Sequence, residues 1–201
     1  ANDSVQTLGT WMASNNERFN YKVLWGAASA VLLATLWYGW TVNGGDISYG
    51  RLNKIPWQEV QWYHAMAPGI LVILTRYGVP VSTSFLVLSA FASTFVLEKM
   101  LMKSIMGYGI AALFAYGAWY LISRWMDETA PVKEEHKNYW RIAQWIATGG
   151  LWWTWLSHDM ANIAVFLPRQ VPMDLMFLVS AVFVVGLFFM FRERGGKIQS
   201  I

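Results

Sequence analysis

The sequence predicts an all-α integral membrane protein, and three observations carry that reading. Apolar residues make up 56% of the 201 and charged residues only 13%, where a soluble domain carries about a quarter charged. The shortage of charge is concentrated in five or six long apolar stretches, the pattern of membrane spans. Turn formers and isolated polar residues then break these stretches into a bundle of several helices, some of them interrupted. The stretches fill most of the chain, so residues 1–201 read as a single transmembrane domain in a lipid bilayer.

The remaining composition narrows the function classes. A net charge of +3 with a pI near 9.2 reflects loop Lys and Arg in a membrane chain and gives no argument for nucleic acid. The absence of Cys excludes disulfides, thiolate metal sites and thiol nucleophiles. The 13 Trp, with 9 Tyr, lie mostly near the ends of apolar stretches, which fits rings seated at the headgroup level.

Taken in order, the first twenty residues are polar and small, with little hydrophobic drive. Residues 21–42 form the first span, long enough to cross about 30 Å as helix. The run NGGDISYGRLNKIP then reads as an exposed loop. Residues 59–79 and 81–97 are two apolar arms around Pro80-Val81-Ser82-Thr83-Ser84. Pro80 lacks a donor and disfavours helix at Val79. The arms fit a re-entrant hairpin with its tip inside the membrane, or two ordinary spans joined by a short loop. Further spans are expected at 104–126, 139–158 and 173–191, with the charged run DETAPVKEEHKN as a solvated loop. The two assignments of the PVSTS segment put opposite sides inside, so Lys and Arg counting does not orient the chain. The chain opens on ANDSVQTLGT without Met or a signal-peptide pattern, and a preceding segment is expected.

Polar groups in apolar surroundings face protein, water or ligand, because leaving them unpaired in hydrocarbon is costly. Three constellations stand out. Asn2 and Asp3 are followed by Gln6, Thr7 and Thr10; on a helix Asp3, Gln6, Thr7 and Thr10 share one face. The plain alternative is a solvated terminus with Asp3 as a cap. Ser82, Thr83 and Ser84 follow Pro80, where hydroxyls and free amides can cradle an oxyanion or simply cap a helix. Asp159 and Asn162 stand at i and i+3 beside Ser157 and His158. A carboxylate there can bind sodium through oxygen or carry a proton, or mark the interfacial end of a helix. The Ser157-His158-Asp159 run is no hydrolase triad, since adjacent helical residues point apart. His64 and His158 both fall in apolar stretches, which raises a b-type haem pair, although nothing in their spacing supports it.

These segments resemble the inorganic phosphate transporter family, usually called PiT, of the sodium/phosphate symporter type. Its members carry an inverted repeat, each half with a GANDVANxxGT-like signature in a broken helix and a later PVSTTH-like tip. The chain has ANDSVQTLGT at 1–10, RYGVPVSTSF at 76–85 and LSHDMANIAVFLP at 156–168, in the family's order. It departs at Gln6, at Ser84-Phe85 and just before Asp159, and it covers part of a typical member. The resemblance implies a transporter-like, inverted-repeat bundle that is partial here. It implies transport of inorganic phosphate or a related oxyanion coupled to sodium or protons, by a secondary transporter and not an enzyme. Substrate contacts would come from Asn2, Asp3, Ser82, Thr83, Ser84, Asp159 and Asn162. Sodium, the one non-protein component expected besides the anion, would use Asn2, Asp3, Asp159 and Asn162, with Arg76 and Arg169 in reserve for charge neutralisation. No organic cofactor is expected. The expected location is the plasma (inner) membrane, with a homodimer or a partner membrane chain as the candidate assemblies. Two alternatives stand beside this: an accessory or structural subunit of a larger membrane complex, and a b-type haem subunit.

Overall fold

The computed structural model describes residues 2–77, 79, 81–125 and 134–193, without the side chains at 2, 3, 5, 6, 125 and 134–136. Among the described residues seven α-helices run in order: α1 (Asn2–Asn15), α2 (Tyr21–Val42), α3 (Met66–Arg76), α4 (Thr83–Ser89), α5 (Thr94–Trp125), α6 (Glu134–Ala164) and α7 (Met173–Arg192). Short 3-10 turns at Arg51–Lys54 and Trp62–Ala65 lie between α2 and α3. No strand occurs among the described residues. Three helices are long and apolar enough to cross a membrane: Tyr21–Val42, Thr94–Arg124 and Met173–Arg192.

Helices α2 and α7 pair antiparallel, and aromatic contacts set their register. Tyr21 and Trp25 meet Phe188 near one end, while Trp37 meets Phe177 towards the other. Indole donors tie the pair: Trp25 Nε1 gives a hydrogen bond to the Val184 carbonyl at 2.9 Å, and Trp40 Nε1 to the Val171 carbonyl at 2.7 Å. Trp152 of α6 does the same to the Ala28 carbonyl at 3.1 Å. Trp25 and Trp40 sit near the ends of α2, as a headgroup belt requires, whereas Trp152 lies mid-helix in α6; all three bolt one segment to another. A buried indole N–H needs an acceptor, and in lipid a neighbouring carbonyl is the one at hand.

The polar start of the chain is a packed helix. Leu8, Trp11, Met12 and Asn15 of α1 are buried at the three- and four-residue spacing of one helical face. Asn15 Nδ2 donates to Gln144 at 3.1 Å, and Trp145 Nε1 donates to Asn15 Oδ1 at 3.1 Å. The Trp11 and Trp145 rings meet edge-on at 4.9 Å. The helix is thus packed against α6 from Thr7 onward, while the side chain of Asp3, the expected cap, lies outside the described residues.

The loop after α2 is also part of the core. Ile47, Ser48, Leu52 and Ile55 are buried, and the Val171 amide donates to the Gly45 carbonyl at 2.9 Å. Asp46 organises the turn, its two oxygens accepting the Ser48 and Gly50 N–H groups at 2.7 and 3.0 Å. Tyr49 takes a left-handed conformation at φ 56° and donates its hydroxyl to the Thr35 carbonyl. Its ring presses on Gly39, where a Cβ would come within 2.6 Å. Only glycine leaves room for that ring. The expected exposed loop is thus a cap that closes one end of the bundle.

Two expected breaks are absent. The EKMLMK stretch at 98–103 lies inside α5, because Glu, Lys, Leu and Met are good helix formers with no Gly or Pro among them. The SHDMAN stretch at 157–162 lies inside α6 and not at a broken point. By contrast, the arms at 59–79 and 81–97 do not make two full helices. Residue 66–76 and 83–89 helices rise about 16 and 10 Å, well short of the roughly 30 Å a span needs.

Candidate functional site

Two of the three sequence constellations fall on or beside α1 and α4, which both contact α6, and the third lies on α6 itself. The side chains of Asn2 and Asp3 lie outside the described residues, as does Pro80. On α1, Thr7 is buried while Thr10 is exposed. The polar face expected there therefore turns away from the core at its C-terminal side.

At the start of α4, the three hydroxyl residues part company. Ser82 Oγ accepts the Phe85 N–H at 3.3 Å with Ser82 in an extended conformation, which is an N-cap. Thr83 Oγ1 is buried with no hydrogen-bond partner. Ser84 is half-buried. A cap and an available buried hydroxyl thus occur side by side.

On α6, Asn162 is 6% exposed and both its Oδ1 and Nδ2 are buried without a hydrogen-bond partner. An amide in that state forgoes about 1–3 kcal/mol per unmet group, so it calls for a ligand, a water or an ion. Asp159, one turn earlier, is half-buried and already engaged in an interaction. Ser157 Oγ and His158 Nδ1 both turn to the Thr154 carbonyl, at 2.8 and 2.9 Å.

The two histidines sit in different surroundings. His64 is 2% exposed, its Nδ1 accepting the Gln61 N–H at 2.9 Å and its ring stacked on Phe91 at 4.2 Å. His158 is exposed. Of the reserve cations, Arg76 is exposed at the end of α3. Arg169 is half-buried, with Nη2 donating to the Ile55 carbonyl at 2.7 Å and Nη1 buried without a partner. Burial draws its guanidinium below its ordinary pKa, and the nearby Asp46 charge partly restores it.

Sequence reasoning passed over the surroundings of Arg169. A cavity of about 560 Å³ opens beside it, lined by Asn43, Asp46, Asn53 and Gln170 among others. The Gly-Gly-Asp turn at 44–46 was the available signal, because two glycines before an Asx turn mark a tightly shaped loop. No protein-family model matches the chain, and neither does any curated protein or solved structure. The class therefore rests on the fold itself: a helical chain with three helices able to cross a membrane.

Proposed function

We propose that the chain belongs to a secondary transporter of inorganic phosphate or a related oxyanion, coupled to sodium or protons. The observation that carries this reading is the Asn162 carboxamide, buried on α6 with both polar atoms unpaired. In natural structures such a group is met by protein, by an ordered water or ion, or by a ligand. Three further features support it. The unpaired Thr83 hydroxyl lies on α4, which packs against α6. The helices α3 and α4 are too short to span, as arms of a re-entrant hairpin would be. The three family-like segments, far apart in sequence, lie on α1, the α4 start and α6.

In this reading Thr83, Asn162 and neighbouring amides receive the anion's oxygens. Asp159, with Asp3 and Asn2, takes the coupling ion or a hydrogen bond from protonated phosphate. Transport proceeds by alternating access around that site, in a plasma (inner) membrane. Uptake of labelled phosphate into proteoliposomes is expected to exceed that of protein-free vesicles and to depend on a sodium or proton gradient. The Asp3→Ala, Thr83→Ala double variant is expected to lose it; unchanged uptake in that variant would remove the site assignment.

A second reading, an accessory subunit in a larger membrane complex, is favoured by α5. No residue of its apolar window is fully buried among the described residues. Co-purification of a stoichiometric partner, without phosphate-dependent stabilisation, would select that reading.

A further inference from the structure

The closed end of the bundle carries two adjoining cavities, one of mixed lining and one almost wholly apolar. The mixed one, about 560 Å³, is lined by Asn43, Asp46, Asn53, Trp57, Arg169 and Gln170 among others. The apolar one, about 430 Å³, is lined by Trp57, Val60, Phe166, Leu167, Pro168 and Arg169. Trp57 and Arg169 are common to both. The pair lies just beyond Val42, where α2 ends, and before Met173, where α7 begins. With α2 and α7 placed across a membrane, as their length and composition allow, this end stands at the level of the headgroups.

The charged residues of the two linings are Asp46 and Arg169, and Arg51 and Lys54 add positive charge beside them. Asp46 spends its oxygens on the Ser48 and Gly50 amides of its own turn. Arg169 keeps Nη1 buried and unpaired after bonding Ile55 through Nη2. Arg51 and Lys54 of the neighbouring 3-10 turn are exposed. Trp57 is 65% exposed, a large ring left uncovered between the two hollows.

We propose that the two cavities form one site for an anionic phospholipid. The phosphodiester sits against Arg169, whose planar fork suits phosphate oxygens. The Asn43, Asn53 and Gln170 amides surround the headgroup. The first acyl methylenes lie in the apolar hollow against Trp57, Phe166 and Leu167. A free anion would leave that hollow empty, so the lipid is the occupant that uses both. The inference needs only the membrane placement of α2 and α7 and is independent of the transport reading.

The test is quenching of Trp57 by brominated acyl chains, with the protein in phosphatidylcholine vesicles. The Trp57-dependent signal is the difference between the protein and its Trp57→Phe variant. Brominated phosphatidylglycerol is expected to quench it at about fivefold lower mole fraction than brominated phosphatidylcholine, the effect of one basic side chain at an anionic surface. Arg169→Gln is expected to abolish the preference and Arg169→Lys to keep most of it. Equal quenching by the two lipids, or an undiminished preference in Arg169→Gln, overturns the proposal. So does loss of the preference on adding millimolar inorganic phosphate, which would assign the site to a free anion. Should Arg169→Gln fail to fold, the two lipids compared on the unaltered protein decide alone.

Discussion

Helices α2 and α5 have nearly the same hydropathy, 1.4 and 1.5 over their most apolar windows, yet 39% of the α2 window is buried and none of the α5 window. The difference lies in which polar atoms reach another helix. In α2, the Trp25 indole bonds the Val184 carbonyl within α7, the Trp40 indole bonds the Val171 carbonyl just before α7, and the Ala28 carbonyl receives Trp152 from α6. In α5, by contrast, Ser123 bonds the Tyr120 carbonyl, Lys99 lies over Phe95 and Arg124 over Tyr120, all within the same helix. Lipid is as apolar as Leu, so hydropathy can bring a helix into the membrane without choosing its neighbours. Polar bolts and close packing choose them.

The largest effect is expected at the best-connected bolt. Asn15 donates to the Trp11 carbonyl and to Gln144, and accepts from Trp145. Asn15→Ala leaves these groups unmet and is expected to cost about 2 kcal/mol, read from unfolding in mixed micelles. Trp40→Phe keeps the ring and removes one bond to Val171, so about 1 kcal/mol is expected from the same titration. A loss equal to that of Asn15→Ala would mean that ring packing and not the indole donor joins α2 to α7.

A smaller effect concerns Tyr49. Burial chiefly, with Tyr38 adding to it, raises its phenol above the ordinary 10.0. The folded state thus favours the protonated form. Its contribution is fully present below pH 10.0 and is lost as pH rises through the raised folded value. Melting temperature followed into that alkaline window is expected to fall, and Tyr49→Phe to lack this component of the fall. The smallest effect is expected on α5: Phe114, 78% exposed, is expected to change stability by less than about 0.5 kcal/mol when replaced by Ala. A clear loss there would show that a second chain covers α5.

Hydropathy made α2 and α7 legible within a few residues, because each is an unbroken apolar run of spanning length. It hid α1, whose buried Leu8, Trp11, Met12 and Asn15 are interleaved with Ser, Thr and Gly. It also misplaced the 43–55 segment, since turn formers signal a loop but not whether its Ile47 and Leu52 are buried. The charged EKMLMK run looked like a break, although charge alone does not end a helix that lacks Gly and Pro. Within the candidate site, Thr83 and Asn162 were legible as polar residues in apolar surroundings. Ser82 proved to be a cap, and the Arg169 cavity was not legible, because it joins residues more than a hundred positions apart.

The most direct test replaces Asn162 by Leu. An unmet buried amide contributes nothing to folding, so Asn162→Leu is expected to leave the melting temperature unchanged or to raise it. Phosphate uptake into proteoliposomes is expected to fall at least about tenfold, the worth of one hydrogen bond to a charged ligand. Full uptake with unchanged stability would contradict the transport account; loss of uptake in a protein equally stable or more so is what it predicts.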